Sequence, residues 1–359
     1  MKTLKQLNAI NKLVVVSGEL VFAGVDVHKL TYHVSLFSRE RGPLASWVQP
    51  ADYQVLEKHL SRIEPGLLRI VYEAGPTGFG LARWFRARGY WINVIAPSHT
   101  PTLPGRQSKT DGIDSGNMAM YLSKGLLQMI NIPSESEEAD RQVVRHREQL
   151  VRKRRRCMHQ IKSFLLQHGI VEPAGLKDWS ANAVTALRGL KLSPEIEFCL
   201  HSLLDELEWH NRQVRKVTAQ ITALARTERH REAFEHLCSI PGVGLITAMT
   251  FRTEFPRPER FDKETQIARI VGLAPSVWQS GNTKRTGPIM KSGNARVRAV
   301  VVEAAWRWIR GDEAAKKCFA RLLGNTGNSK KAIVAMARRL AICMWRISSR
   351  QTPYRSLAA

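Results

Sequence analysis

Nine residues set the strongest constraint on how this chain folds. Ile196, Leu200, Leu203, Leu207, His210, Val214, Val217, Ile221 and Leu224 follow one another at alternating steps of four and three. Such steps keep an apolar seam on one side of an α-helix, whereas a strand would send alternate residues to opposite faces. The spacing predicts one long helix of coiled-coil type, with His210 as a polar, register-setting member of its seam. A second helical stretch, Arg141 to Phe164, is far more basic and contains the run Arg152, Lys153, Arg154, Arg155 and Arg156. The two are expected to form an antiparallel hairpin or to pair between subunits. From Glu135 to about Arg229 there is no strand signal.

The preceding part reads differently. Val21 to Val27 and Thr31 to Phe37 are β-branched runs joined tightly at His28 and Lys29, which predicts a hairpin. Leu67 to Tyr72 is a short apolar run ending at Glu73, and Trp91 to Ala96 is another, stopped by Pro97. Between them Phe79 to Arg88 has helical character and ends at Gly89. Ser98 to Lys109, with Pro101, Pro104 and Gly105, reads as a loop before a helix that starts near Thr110. Two or three antiparallel strands followed by β-α-β predict an α/β sheet domain. From Ala233 onward the pattern is mainly α with glycine-rich breaks. The expected division is a tail over 1–19, a sheet domain over 20–134, a helical coiled-coil segment over 135–230 and a basic helical domain over 231–359.

Charge narrows the class of partner. The 55 Lys and Arg outnumber the 31 Asp and Glu, leaving +24. Such an excess favours a polyanion, because each neutralised phosphate releases condensed counterions. No acid occurs between Glu264 and Glu303 or after Glu313, where Lys316, Lys317, Arg321, Lys330, Lys331, Arg338 and Arg339 all lie. No apolar run approaches the ~20 residues that span a bilayer, so no membrane partner is expected. Lys12 and Glu19 flank the short run Leu13 to Val16, which reads as a tail and not as a signal peptide. The five cysteines are scattered and never in CxxC spacing, which argues for a reducing cytoplasm and against structural zinc.

Four carboxylates stand out. Asp26 lies near the end of the first strand, inside "AGVDVHK", where apolar neighbours make a charge costly unless it has a partner or a metal. Glu73 ends a later strand. Asp111 and Asp114 open a helix, three apart and so on one face. Hard divalent ions take oxygen ligands, and carboxylates from separate elements can hold a metal pair for phosphoryl chemistry. The plainer reading has Asp111 capping a helix, Asp114 solvated, Glu73 merely ending its strand and Asp26 paired with Lys29. His28 is set outside the quartet, on the ground that strand neighbours point to opposite faces.

A second set of residues lies toward the C-terminus. "LCSIPGVGLITA" has the shape of a helix-hairpin-helix, with Gly242 and Gly244 letting backbone amides approach a phosphate, or it is a plain turn between packed helices. Ser280, just before Gly281, is placed to be an exposed nucleophile on a loop, with Lys284, Arg285, Lys291, Arg296 and Arg298 to neutralise phosphate. Spacing alone does not choose it over Ser276, Ser292 or Thr283. Trp278, Trp306 and Trp308 are read as core or interface packing ahead of base stacking.

"GVDVHK", "VYEAGPTGFGLARWFRARGYWINVIAP" and "SKTDGIDS" resemble, in order and spacing, the first half of the DEDD-type insertion-sequence transposases, the bridge-RNA- or seek-RNA-guided recombinases. "IPGVGLITA", "FDKETQIARIVGLAPS" and "QSGNTKRTGPIMKSGNARVRAVVVEAA" resemble the second half. The resemblance implies an RNase H-like (RuvC-like) N-terminal fold whose quartet, Asp26, Glu73, Asp111 and Asp114, binds Mg²⁺ or Mn²⁺. It further implies that Ser280 attacks DNA to form a phosphoserine intermediate. The implied partners are donor and target double-stranded DNA, a non-coding guide RNA and further copies of the chain, at least a dimer and a tetramer in synapsis. The implied setting is a bacterial or archaeal cytoplasm. Two other functions stay open: a junction-resolving nuclease that uses the carboxylates alone, and a non-catalytic protein that coats nucleic acid.

Overall fold

Residues 16–97, 111–280 and 283–356 are described by the computed structural model, without the side chains of 111–113 and 284. The loop expected over Ser98 to Lys109 and most of the N-terminal tail therefore lie outside the described residues. Contacts divide the chain into two units, Met1–Ser134 and Glu135–Ala359.

The first unit is built on a sheet of order β3-β2-β1-β4-β5-β6. Its members are β1 (Val21–Val27), β2 (Thr31–Ser38), β3 (Gly42–Pro50), β4 (Leu68–Glu73), β5 (Trp91–Ile95) and β6 (Met129–Ile130). The first three form an antiparallel meander. Strand β4 then runs parallel to β1, and β5 parallel to β4. Helices α1 (Tyr53–Leu60), α2 (Gly80–Arg86) and α3 (Asp111–Ser123) complete the unit.

Period-two alternation sorts the two faces of this sheet. Val21, Ala23 and Val25 of β1, with Leu68, Ile70 and Tyr72 of β4, share a buried cluster with Leu56 and Leu60 of α1 and Leu81 and Phe85 of α2. Phe22 and Val71, on the alternate positions, join Met118 and Leu122 of α3. Helices therefore cover both faces, as strands apolar on both sides require. The hairpin at His28 and Lys29 and the β-α-β unit agree with the sequence expectation. Strand β3 was only half legible, since Pro43, Ser46 and Pro50 interrupt its apolar pattern.

The second unit opens with the long helices α4 (Glu135–Gln167) and α6 (Pro194–Ala225), with the short α5 (Ala181–Arg188) between them. Six members of the seam are buried and the other three, Ile196, Leu203 and Val217, are half-buried. Arg147 donates to Thr218 Oγ1 (2.8 Å), Arg154 to Asn211 Oδ1 (3.5 Å) and Cys157 to the Leu203 carbonyl (3.4 Å). The pairs ascend on one helix and descend on the other, so α4 and α6 form an antiparallel hairpin within the chain.

The remainder comprises α7 (Glu228–Cys238), α8 (Leu245–Glu254), α9 (Glu264–Ile270), α10 (Ala295–Gly311), α11 (Glu313–Thr326) and α12 (Ser329–Arg350). They gather around one apolar cluster that includes Phe251, Val301, Trp308, Met336 and Met344. Into this helical region is set a two-stranded hairpin, β7 (Pro275–Ser280) and β8 (Thr283–Ile289). The sequence reading, which had only helices and a loop here, is corrected on this point. A polar, glycine-containing ribbon that meets the core only through Ile289 at its root shows no apolar alternation.

Candidate metal centre and serine hairpin

Gly24 decides where the acids sit. A methyl group at this position would lie 2.1 Å from the Ser115 carbonyl oxygen and 2.8 Å from the Ala119 nitrogen. Only a residue with no Cβ lets α3 lie so closely on β1. A row of hydroxyls fixes the helix along the strand. Gly24, Ser35 and Ser46 stand side by side across β1, β2 and β3. Ser35 Oγ meets Ser115 Oγ at 2.8 Å and Ser46 Oγ at 3.0 Å, with Ser115 fully buried. Asp114 is thereby set in the first turn of α3, beside the end of β1.

Asp26 follows Gly24 by two residues and so shares the face that α3 covers. Glu73 follows Val71 by two and points the same way. The parallel register ends at Val25 opposite Tyr72, which makes Asp26 and Glu73 the next pair, on strands roughly 5 Å apart. Asp26, Glu73 and Asp114 are all half-buried. Asp111 starts α3, about 4.5 Å along the axis before Asp114; its side chain lies outside the described residues. Three of the four sequence-nominated acids thus converge on one end of one sheet face, and the backbone of the fourth is one turn away.

His28 departs from the opposite-face expectation. It lies two residues after Asp26, not one, and its Nε2 stands 3.1 Å from Asp26 Oδ2. The ring also meets His33, the residue directly opposite Asp26 on β2, with centroids 5.8 Å apart. The plainer pairing of Asp26 with Lys29 is replaced by this imidazole contact.

Among the described residues no three His, Cys, Asp or Glu side chains already surround one point. The fit to a metal rests instead on donor type and placement. Hard carboxylate oxygens from two adjacent strands and one helix start face the same half-buried corner, which suits a hard divalent cation.

Ser280 ends β7, opposite Thr283, and is exposed. Exposure agrees with expectation; the position on a strand end, not a loop, does not. Ser276, one of the alternatives, donates to the Pro288 carbonyl (3.1 Å) and holds the hairpin together. Trp278 lies on the same strand face as Ser280 and is 60% exposed, so it is not a core residue. A Cβ on Gly287 would fall 2.3 Å from the Trp278 ring, and that missing atom makes room for the indole. Trp308 is buried and Trp306 packs edge-on against Phe319, as expected.

The basic residues assigned to phosphate divide into two groups. Lys153, Arg155, Arg156, Arg285 and Lys291 are exposed. Arg298, by contrast, donates to the carbonyls of Val271 (3.1 Å) and Lys291 (3.2 Å), clamping the two roots of the serine hairpin. Arg296 donates to Glu148 (2.7 Å), which also accepts from Arg152, and Arg154 is half-buried against Asn211. These contacts give Arg296 and Arg298 internal work that their spacing did not reveal. Lys284 has no described side chain. Gly242 adopts φ +86° and a Cβ there would lie 2.6 Å from Arg307 Cβ, so it is a close-packing position against α10, while Gly244 caps α8 and is exposed.

Sequence reasoning missed one buried group beside the hairpin. Glu254 accepts two hydrogen bonds from Arg145 (2.7 and 2.8 Å) and one from Asn294 Nδ2 (2.8 Å). Asn294 in turn caps α10. Burial pushes the Glu254 carboxyl up, but the Arg145 bonds and charge, with Asn294, outweigh it and hold it below its ordinary value.

Comparison with known proteins settles the family. Residues 23–170 match a transposase family defined by IS110 and its DEDD motif, and residues 234–320 match the transposase IS116/IS110/IS902 family. A transposase of Sinorhizobium fredii, y4qE, is 30% identical over 348 residues, 94% of this chain and 82% of its own length. The chain belongs to the IS110 family of transposases. The transposase for insertion sequence element IS1111A of Coxiella burnetii is also similar, at 23% identity over 77% of each chain. A second Sinorhizobium fredii transposase, y4rJ, is 28% identical over 77% of this chain and 76% of its own. This transposase is therefore an enzyme that acts on DNA, and its DEDD family implies a divalent metal. No helix among the described residues is long and apolar enough to cross a membrane.

Proposed function

We propose that this transposase cuts and rejoins DNA with a metal held by Asp26, Glu73, Asp111 and Asp114, within an RNase H-like N-terminal domain. One observation carries the reading: Asp26, Glu73 and Asp114 share one end of one sheet face, set there by the Gly24 contact. Sheet order β3-β2-β1-β4-β5, a meander followed by parallel strands, supports the fold assignment. When bound, Mg²⁺ or Mn²⁺ supplies charge for the phosphoryl oxygens and activates the attacking oxygen. The four carboxylates would hold it, and His28 orients Asp26 through the 3.1 Å contact.

The finer proposal concerns Ser280. A carboxylate–metal site activates water or a DNA hydroxyl and needs no protein nucleophile, so a serine intermediate competes with a metal-only reaction. An exposed hydroxyl at a hairpin end, beside the exposed Arg285, favours the serine. Its Oγ would bond to phosphorus as one DNA P–O bond breaks and releases a DNA hydroxyl. Attack by a DNA hydroxyl on the phosphoserine reverses the exchange and returns the proton to Ser280. The α7–turn–α8 segment, with Gly244 open at the start of α8, would approach backbone phosphate. The run Arg152 to Arg156 would contact a guide RNA, and subunits would assemble at least as dimers and synapse as tetramers.

The test is a denaturing gel of labelled donor and target DNA, incubated with protein, metal and co-purified RNA. A protein–DNA adduct present in wild type, absent in Ser280→Ala and absent in Asp26→Asn is the expected result. Cleaved ends without protein, retained in Ser280→Ala, would leave the metal-only nuclease. Mn²⁺ titration of wild type should show binding that Asp26→Asn weakens; equal binding by both removes Asp26 from the metal site.

A further inference from the structure

The C-terminal helices enclose a cleft of about 990 Å³ that plays no part in the sites described above. Arg321 of α11, Arg338, Arg339, Arg346 and Arg350 of α12, and Arg355 of the following tail line it, against a single acid, Glu264. Glu264 is already engaged by Arg346. No ion pair or side-chain hydrogen bond engages the other five arginines among the described residues. Some arginines elsewhere in this unit are neutralised singly by acids, as Arg145 is by Glu254, Arg229 by Asp140, Arg257 by Glu137 and Arg296 by Glu148. What sets the cleft apart is that six arginines line one cavity with Glu264 as the sole acid among them, and no acid follows Glu313.

We infer that this cleft binds a phosphodiester backbone. Gathering like charges around one cavity raises its potential, which an anionic ligand relieves. Arg339, Arg346 and Arg350 lie on one stripe of α12, since Cys343 completes steps of four, three and four. That stripe is roughly 16 Å long at the helical rise of 1.5 Å per residue. One phosphate ion cannot span it, whereas about five nucleotides of one strand can, at 3.4 Å each. The guanidinium fork suits phosphate oxygens. The apolar wall includes Trp308, which is buried, and Tyr354, whose hydroxyl is held by Asp312 (3.0 Å). No exposed aromatic is left to stack a base, so the cleft grips backbone and leaves sequence unread. The inference rests on the family's action on DNA and is independent of the role of Ser280.

The test compares two triple variants of the full chain, each losing three positive charges. One removes cleft arginines: Arg321→Ala, Arg339→Ala and Arg350→Ala. The other removes exposed lysines on the same helices but outside the cleft: Lys317→Ala, Lys330→Ala and Lys331→Ala. Binding to a fluorescent duplex DNA and to a fluorescent RNA hairpin is measured by anisotropy over a range of salt, with thermal unfolding confirming that each variant folds. The cleft variant is expected to reduce the slope of log K against log salt by about 2 to 3 on its true ligand, at about 0.9 per lost phosphate contact on duplex and somewhat less on single strands. The lysine variant is expected to change it by less than about 1. Loss on DNA alone or on RNA alone names the source of the backbone. Equal loss in both variants, or no loss in the cleft variant while wild type binds, overturns the site. Failure of wild type to bind either nucleic acid would instead strike the transposase reading itself.

Discussion

Asp26 lies on a strand whose first five residues are buried and whose glycine is covered by a helix, while Ser280 ends a strand whose last four residues are exposed. The acids inherit their positions from a core that must form for the unit to fold at all. Ser280 inherits its position only from the roots of its hairpin. There Arg298 spans two carbonyls, and Glu254 holds the Asn294 cap that starts α10. Metal ligands benefit from a rigid scaffold, since small displacements weaken coordination. The nucleophile proposed at Ser280 would have to meet a phosphate on a large duplex, and standing clear of the surface suits that role.

Substitutions can break or sharpen this contrast, beginning with the largest effect. Arg145→Ala strands the Glu254 carboxylate, 4% exposed, without its ion-pair partner. It should destabilise by about 3–5 kcal/mol in denaturant unfolding. A negligible change would mean that the hairpin roots do not depend on this buried pair. Gly24→Ala forces a methyl group into backbone 2.1 Å away and should cost about 3 kcal/mol. It should also abolish strand cleavage, and a variant that keeps full activity would refute the view that packing at Gly24 positions the acids. Arg298→Ala removes two charged hydrogen bonds at the hairpin roots and should cost about 2 kcal/mol. The fall in adduct formation should exceed what this loss of stability explains.

A weaker, pH-dependent effect comes from His230. Burial lowers its pKa below the ordinary 6.5, and the hydrogen bond to Asp140 (2.9 Å) offsets this only in part. The unfolded imidazole therefore binds a proton more readily than the folded one. Stability is fully present above 6.5 and declines as pH falls through that value. His230→Gln should flatten the dependence of the unfolding midpoint on pH over that window; an unchanged slope would assign it to other groups. Ser280→Ala should have the smallest effect on folding, within about 0.5 kcal/mol, because the side chain is exposed. A large destabilisation would show that the serine is structural and erase the contrast.

Legibility followed the same divide. Strands β1, β2, β4 and β5 could be read because burial on both faces writes β-branched and apolar runs into the sequence. The seam of α6 could be read because its partner, α4, buries it along its length. Strand β3 was blurred by prolines, and the β7–β8 ribbon was invisible because only Ile289, at its root, meets the core. The contact of His28 with Asp26 follows from the two-residue period, which brings positions 26 and 28 to one side. The work of Arg298 was illegible in principle, since its partners are backbone carbonyls that only the fold brings together. The four acids were named from motifs, but the reason three of them share one end of one sheet face lies in Gly24, a residue that the sequence reading passed over.

Glu148 accepts from Arg152 of the basic run and from Arg296 of the first turn after the hairpin. Each carboxylate oxygen serves one guanidinium, so a single side chain staples the basic run of α4 to the opening turn of α10, the segment on which the hairpin is moored.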